Sequence, residues 1–213
     1  MSTCGQNSTE QTEYKVVVFG TAAVGKTSLI QRFLNGTFKD HYTPTIEDTY
    51  RQAVNSNGSI CSLIITDTGG SHSFPAMAKL AIQRGNAFIL VYAINNRQSF
   101  TSLKTYFTEI LSIKRALDTT PLIIVGNKCD LTYREVLENE GLNLAKSWKC
   151  SYIESSAKQQ YNTSQMFEQL LLQEKRQMLT LGAKSKRVKG NKAKPSKQLA
   201  SSTTNVKSKC SIT

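Results

Sequence analysis

The sequence of 213 residues predicts an α/β domain with a mostly parallel, six-stranded sheet, one antiparallel edge strand and helices on both faces. Two observations lead to this fold class. Short, continuous apolar runs, which are typical of strands buried on both faces, alternate along the chain with segments of helical periodicity. A single strong hairpin signal, Asn57-Gly58, joins two early strands and accounts for the antiparallel edge.

Each element follows from a local pattern. Apolar runs predict buried strands, helical spacing predicts helices, and Pro75 with Gly85 marks the start and end of one helix. In chain order we predict a strand at 14–20, a helix at 27–34, hairpin strands at 49–55 and 59–66, a helix at 75–84, a buried strand at 87–93, a helix at 98–115, a buried strand at 121–125, a helix at 134–148, extended residues at 152–153 and an amphipathic helix at 164–178.

The positive charge of the chain is concentrated near its end. The net charge is +12, but eleven of the 27 basic residues follow Glu174, after which no acidic residue occurs. The first 174 residues carry 16 basic and 15 acidic side chains. Because the basic segment lacks interleaved aromatic residues, we do not expect a nucleic-acid partner. The organisation we predict is a flexible leader at 1–13, one domain at 14–178, a disordered polybasic tail at 179–209 and a terminal box at 210–213.

Composition excludes several other classes. The longest apolar stretches, such as Ala87 to Ile94, are far shorter than the roughly 18 residues of a transmembrane helix. The first residues lack the basic and apolar regions of a secretory signal. The five cysteines are scattered and form no C-x-x-C pair, so a disulfide scaffold or a zinc site is not expected and a reducing compartment is predicted.

The loop after the first strand matches the phosphate-binding pattern G-x-x-x-x-G-K-S/T between Gly20 and Thr27. The glycines let backbone N–H groups face phosphate oxygens, Lys26 reaches the β- and γ-phosphates, and the Thr27 hydroxyl is placed to bind Mg²⁺. The predicted phosphate-binding residues are Gly20, Thr21, Ala22, Ala23, Val24, Gly25, Lys26, Thr27 and Ser28. The loop alone does not distinguish ATP from GTP.

Two later loops favour guanine. Asn127-Lys128-Cys129-Asp130 follows a buried strand, and its Asp130 carboxylate is suited to accept hydrogen bonds from N1–H and N2–H₂ of guanine, which adenine does not offer. Ser156-Ala157-Lys158 follows the last strand, where backbone amides are placed to hold the base O6. We therefore predict a guanine-nucleotide site and regard an ATP-using enzyme as the disfavoured alternative.

A third group of residues is placed to sense the γ-phosphate. Asp67 ends the third strand and is a candidate metal ligand, while the N–H of Gly70 is suited to meet a γ-phosphate. Thr45 lies in a segment that we predict to be irregular until Thr49, and it is placed to bind Mg²⁺ only when the γ-phosphate is present. The predicted metal ligands are Thr27, Thr45 and Asp67.

Together, these motifs resemble the Ras family of small GTPases over Tyr14 to about Met178, and within it the Di-Ras subgroup most closely. The resemblance implies a P-loop GTPase fold, GTP and GDP with Mg²⁺ as ligands, and stacking of Phe38 on guanine. It also implies effector, exchange-factor and activating-protein partners. The implied effector segment is Thr45, Ile46, Glu47, Asp48, Thr49 and Tyr50; the competing interpretation is a plain edge strand.

Two departures from the family pattern predict slow GTP hydrolysis. Ser71 stands where most relatives carry a glutamine that orients the attacking water, and its side chain is too short for that role. Ala22 and Ala23 replace two usual glycines, and the Cβ of Ala22 points where that glutamine or an arginine finger would approach. The predicted catalytic residues are Ser71, Lys26 and Gly70, and the alternative is a constitutively GTP-bound scaffold.

The chain ends in Cys210-Ser-Ile-Thr213, which fits a C-a-a-X prenylation box. A single lipid chain binds membranes only marginally and normally needs a second signal, which the basic tail supplies. We therefore expect lipidation at Cys210 and an anionic membrane partner at the cytoplasmic face of the plasma membrane.

Overall fold

The computed structural model describes residues 13–56, 59–70, 75–114 and 120–173, all within the unit Met1–Gln177. These residues form a six-stranded sheet in the order β2-β3-β1-β4-β5-β6. The strands are β1 (Glu13–Phe19), β2 (Glu47–Ser56), β3 (Ser59–Thr68), β4 (Ala87–Ala93), β5 (Leu122–Asn127) and β6 (Ser151–Ser155). The helices are α1 (Lys26–Asn35), α2 (Pro75–Arg84), α3 (Arg97–Thr101), α4 (Leu103–Lys114), α5 (Glu138–Trp148) and α6 (165–173).

The sheet has the mixed topology that the sequence predicts. β2 pairs with β3 in antiparallel register, from Glu47 opposite Thr68 to Ser56 opposite Ser59, so two residues connect the strands. All other neighbouring strands are parallel. The α/β fold class with one antiparallel edge strand is therefore confirmed.

The core lies on both faces of the sheet. In β1, Val16 and Val18 pack on one face with Leu29 of α1, while Val17 and Phe19 pack on the other. All seven residues of β4 are buried, as expected of a central parallel strand covered by helices on both sides. This packing fixes the carboxyl ends of the parallel strands at one edge of the sheet, where ligands bind in such folds.

The helix predicted at 98–115 is wrong as a single element, because it divides at Ser102 into α3 and α4. The hydroxyls of Thr101 and Ser102 donate to the carbonyls of Arg97 and Gln98, both at 2.8 Å. Such side-chain hydrogen bonds compete with the backbone hydrogen bonds of the helix. The N–H of Thr105 also bonds the Ser102 carbonyl, a tighter turn than an α-helix makes.

The helix predicted at 134–148 begins four residues later, at Glu138. The N–H groups of Glu135 and Val136 both donate to the carbonyl of Ile94, so this segment is bonded to the end of β4 instead of to its own next turn. The helix starts where Glu140 accepts from the N–H of Leu137 at 2.9 Å, which satisfies a free donor of the first turn.

The remaining elements differ only at their ends. The helix at 75–84 and the strand at 87–93 have the predicted bounds, whereas β2 starts at Glu47 and not at Thr49. The part of the predicted helix 164–178 beyond residue 173 lies outside the described residues. Within the described part of the chain, no helix has both the length and the apolar character needed to cross a bilayer.

Candidate functional site

The predicted site residues meet at a cavity of about 480 Å³ at the carboxyl edge of the sheet. The predicted residues that line it are Ala23, Gly25, Lys26, Thr27, Ser28, Phe38, Thr45, Gly70, Asn127, Lys128, Asp130, Ala157 and Lys158. Six further residues predicted to bind the nucleotide or the metal each lie against a lining residue: Gly20, Thr21, Ala22, Val24, Asp67 and Ser156. Segments far apart in sequence therefore form one site.

Close packing explains the two glycines of the phosphate loop. A Cβ on Gly20 would lie 2.2 Å from the carbonyl oxygen of Val91, and one on Gly25 would lie 2.3 Å from Nδ2 of Asn127. Gly25 also has a φ of 97°, which L side chains rarely adopt. The loop is thus pressed against β4 and the end of β5, and its tight wrap directs backbone amides to one side.

Lys26 is held inside this loop. Its Nζ donates to the carbonyls of Gly20 at 2.9 Å and Thr21 at 3.0 Å, and the residue is only 6% exposed. Burial lowers the pKa of Lys26 to about 8, and the nearby Asp67 carboxylate partly offsets this effect. A cation placed over backbone amides is suited to bind phosphate oxygens.

Thr27, Thr45 and Asp67 form an oxygen cluster. The Thr27 hydroxyl donates to Oδ2 of Asp67 at 2.6 Å and lies 2.9 Å from the Thr45 hydroxyl. Asp67 is fully buried, its Oδ1 has no hydrogen-bond partner, and burial raises the pKa of its carboxyl to about 6. A buried carboxylate with a free oxygen beside two hydroxyls fits a hard divalent cation such as Mg²⁺.

The two predicted base-recognition loops, 127–130 and 156–158, are bonded to each other. The Ser156 hydroxyl donates to Oδ1 of Asp130 at 2.6 Å, which orients the carboxylate. Asn127 bridges three segments: its Nδ2 donates to the carbonyl of Val24 at 2.7 Å, and its Oδ1 accepts from the N–H of Ala157 at 3.3 Å. Asn127 therefore also fixes the phosphate loop relative to the base pocket.

The segment predicted to sense the γ-phosphate packs directly on the phosphate loop. A Cβ on Gly70 would lie 2.3 Å from both the N and Cα atoms of Ala22, and one on Gly69 would lie 2.6 Å from the Ile46 carbonyl oxygen. No larger residue fits at Gly70 while Ala22 keeps this position. Any displacement of one of these segments is thus coupled to the others.

The predicted effector segment runs from the cavity onto the surface. Thr45 lines the cavity, whereas Ile46 is 76% exposed. Glu47, Asp48 and Thr49 are exposed at the start of β2 and Tyr50 is half-buried, so the segment is largely an edge strand, as the competing interpretation has it. An exposed edge strand that begins two residues after the predicted metal ligand Thr45 agrees with both interpretations.

The predicted set of site residues and the set that the structure shows differ in two ways. Ser71 and Cys210 lie outside the described residues. Sequence reasoning missed Gln31, Leu131 and the segment 39–43, which also line the cavity. The segment 39–43 could have been found, because it connects the predicted site residues Phe38 and Thr45. Gln31 and Leu131 carry no motif of their own.

Comparisons with known proteins agree with this geometry. The model of the Ras family matches residues 15–176. The chain is 48% identical over 178 residues to GTP-binding protein Di-Ras1 of Mus musculus, covering 84% of this chain and 90% of the relative. It is 48% identical over 186 residues to GTP-binding protein Di-Ras2 of Macaca fascicularis, covering 87% and 94%. It is also 48% identical over 172 residues to GTP-binding protein drn-1 of Caenorhabditis elegans, covering 79% and 78%.

Proposed function

The chain belongs to the Ras family, and on that premise we propose that it is a Mg²⁺-dependent molecular switch that hydrolyses GTP slowly and signals from a membrane surface. It is a GTP-binding protein related to Di-Ras, and Ras-family small GTPases convert GTP to GDP and phosphate. Such proteins generally interact with effectors and regulators.

The observation that carries the proposal is the contact of Thr45 with Thr27, which in turn bonds Asp67. The hydroxyl of Thr45 lies 2.9 Å from that of Thr27, which itself bonds Asp67 at 2.6 Å, and this cluster supports a shared role of the three in holding one Mg²⁺. Bound Mg²⁺ would neutralise phosphate charge. Thr45 leads directly into the exposed Ile46 and β2, so the state of the nucleotide is coupled to the surface that an effector would contact.

Slow hydrolysis is proposed because of Ala22 and Ser71. Lys26 and the N–H of Gly70 are suited to stabilise charge on the γ-phosphate, but the chain lacks the glutamine that orients water in most relatives. The backbone of Ala22 lies against Gly70, which supports an effect of the added methyl group on the approach of a water-orienting group. We expect a hydrolysis rate below the roughly 3–5 × 10⁻⁴ s⁻¹ of Ras.

A single-turnover assay tests this expectation. GTP-loaded wild type and the double variant Ala22→Gly/Ser71→Gln are compared at saturating Mg²⁺, with each single variant as a control. We expect the double variant to be at least roughly tenfold faster, because it restores both the space and the water-orienting amide. A wild-type rate at or above that of Ras, or an unchanged rate in the double variant, would reject slow hydrolysis by this cause.

A second candidate function is a constitutively GTP-bound binding module. The same two departures, Ala22 and Ser71, favour it over an ordinary switch. The nucleotide that copurifies with the protein distinguishes the two: GTP that persists for many hours supports the binding module, whereas conversion to GDP supports the switch.

Membrane attachment is proposed from the tail. The chain ends in a C-a-a-X box at Cys210 that follows eleven basic residues, and a prenyl group with a basic segment supplies the two signals that stable anchoring needs. We propose the cytoplasmic face of the plasma membrane as the location, effectors as partners of Thr45 to Tyr50, and exchange factors and activating proteins as regulators.

A further inference from the structure

Arg32 connects helix α1 to the loop after β6. Its Nε donates to the carbonyl of Ala157 at 2.8 Å, and its Nη2 donates to the carbonyl of Lys158 at 2.9 Å. Both acceptors are adjacent backbone carbonyls in the loop that we assign to the guanine base. One guanidinium therefore fixes two consecutive peptide groups of that loop from outside the cavity.

The same side chain also contacts the segment that leads to Phe38. Its Nη1 donates to the carbonyl of Gly36 at 2.6 Å, and its Cζ lies 5.7 Å from the centre of the Phe38 ring. Gly36 closes the end of α1, where its own N–H donates to the Arg32 carbonyl at 3.0 Å. Arg32 is thus bonded to both walls of the base pocket.

A continuous chain of hydrogen bonds runs from Arg32 to Asp130. Arg32 holds the Lys158 carbonyl, and the N–H of the same peptide group, that of Gln159, donates to the Ser156 hydroxyl at 3.0 Å. The carbonyl and N–H of a trans peptide point in opposite directions, so fixing one fixes the other. The Ser156 hydroxyl then donates to Oδ1 of Asp130 at 2.6 Å.

We propose that Arg32 is a positioning residue for guanine recognition, acting through Ser156 on the Asp130 carboxylate. This inference rests on the proposed role of Asp130 in reading the base. Arginine suits the task because its planar fork donates in several directions at once, whereas lysine is a point charge. Two contacts of Arg32 with the base loop and two with the segment from Gly36 to Phe38 also join these two parts of the chain.

The test compares nucleotide dissociation from full-length wild type, Arg32→Gln and Arg32→Lys, using fluorescent GDP and fluorescent inosine diphosphate. Inosine lacks the 2-amino group and so loses one of the two donors to Asp130. We expect Arg32→Gln to release GDP roughly three- to tenfold faster and to lower the preference for GDP over inosine diphosphate by roughly threefold, because the bonds lost are charge-assisted but partly exposed. Arg32→Lys should restore part of the preference.

Arg97→Gln is the matched control. Arg97 also joins a helix to a remote segment, through Glu140 and the Glu135 carbonyl, but these partners do not line the cavity, whereas Ala157 and Lys158 do. Arg97→Gln should leave the dissociation rates of both nucleotides unchanged. If Arg32→Gln accelerates release of the two nucleotides by the same factor, or of neither, Arg32 is only structural and the proposal is wrong. If wild type retains both equally, the assignment of Asp130 itself is wrong, and this inference with it.

Discussion

Asp67 is the residue on which the metal assignment depends. Its carboxylate is fully buried and has one oxygen without a hydrogen-bond partner, an arrangement that costs free energy unless a cation or a proton supplies the compensation. The raised pKa of its carboxyl, about 6, reflects the same desolvation. A bound divalent cation would remove the penalty, so stability and ligand binding should be coupled at this residue.

We predict that Asp67→Asn makes GDP retention insensitive to Mg²⁺. An amide cannot replace the charge of the carboxylate, so in the presence of Mg²⁺ GDP should dissociate from the variant at least roughly tenfold faster than from wild type. Stopped-flow measurement with and without a chelator checks this: the chelator should accelerate release from wild type and have little effect on the variant. A variant as sensitive to the chelator as wild type would place the metal elsewhere.

Thr45 provides a matched test of the same cluster. Thr45→Ser keeps the hydroxyl near Thr27, whereas Thr45→Ala removes it. If Thr45 binds the metal only with the γ-phosphate present, Thr45→Ala should weaken binding of a non-hydrolysable GTP analogue roughly tenfold and that of GDP little, while Thr45→Ser stays near wild type. Equal losses for the two nucleotides would contradict the sensing role.

The close packing at Gly70 makes a further prediction about hydrolysis. A Cβ at Gly70 would lie 2.3 Å from the backbone of Ala22, so Gly70→Ala must push the two segments apart. We expect the single-turnover rate to fall at least roughly tenfold, because the Gly70 N–H no longer reaches the γ-phosphate. Gly85→Ala is the control: its Cβ would meet the Val17 side chain at 2.8 Å, just before the amino end of β4 and so away from the carboxyl edge that carries the cavity, and it should lower stability without changing the rate of the folded protein.

At the scale of elements, a polar network joins β4, β6 and the segment before α5. The hydroxyls of Tyr92 and Tyr152 lie 3.1 Å apart, and that of Tyr152 donates to Glu154 at 3.0 Å. Arg134 donates to both carboxylate oxygens of Glu154, at 2.6 and 2.9 Å. Tyr92 and Glu154 lie one residue before the ends of β4 and β6, and β6 leads into a predicted base-recognition loop, so the network holds together elements next to the site.

We predict that Glu154→Gln lowers the free energy of unfolding by roughly 2 kcal/mol, because it leaves a half-buried Arg134 without its charged partner. The side chains of this pair are 26% and 12% exposed. Urea unfolding at fixed GDP and Mg²⁺ concentrations gives the measurement. Glu140→Gln, which breaks the more exposed ion pair with Arg97, should have a much smaller effect; similar losses would contradict the role given to the network.

The elements show which features the sequence alone can predict. The bounds of β4 and α2 were predictable because a seven-residue apolar run and a Pro75–Gly85 pair are local signals. The start of α5 was not, because it depends on hydrogen bonds from Glu135 and Val136 to Ile94, about 40 residues earlier. The local sequence pattern therefore predicts that a helix or strand is present better than it predicts the first and last residues of that element.

The site follows the same rule. The phosphate loop and the base-recognition loops were predictable because each is a short motif at the end of a strand, and strand ends meet at one edge of the sheet. The contacts of Arg32 with Ala157 and Lys158 were not, because a single arginine on a helix does not indicate carbonyls 125 and 126 residues away. Residues that position the ligand-binding groups can be identified only from the contacts of the tertiary structure.

At the scale of the whole molecule, the distribution of charge separates nucleotide chemistry from membrane attachment. The first 174 residues carry 16 basic and 15 acidic side chains, and the remaining residues carry eleven basic and no acidic ones. Inside the nearly neutral domain, positive charge toward phosphate is local, at Lys26. Attraction to an anionic bilayer should thus depend on the tail and should leave the nucleotide site unaffected.

We predict that the prenylated full-length protein binds vesicles containing anionic lipid, and that substituting four tail lysines by glutamine weakens this binding on the order of a thousandfold at low salt. Each basic residue near an anionic surface contributes about 1 kcal/mol, and salt screens the attraction, so the difference should shrink as ionic strength rises. Vesicle sedimentation over a salt series measures it. The substituted residues are Lys184, Lys186, Lys189 and Lys192.

The matched control removes the same charge from the domain, at the exposed residues Lys79, Lys104, Lys146 and Lys149. If the tail is the membrane-binding segment, this variant should bind vesicles nearly as well as wild type, although both variants have the same net charge. Equal losses would mean that net charge alone drives the attraction.

Cys210→Ser tests the lipid: binding to neutral vesicles should disappear, while weak, salt-sensitive binding to anionic vesicles should remain, because the basic residues are still present. Full retention of binding at physiological salt would contradict prenylation as the anchor.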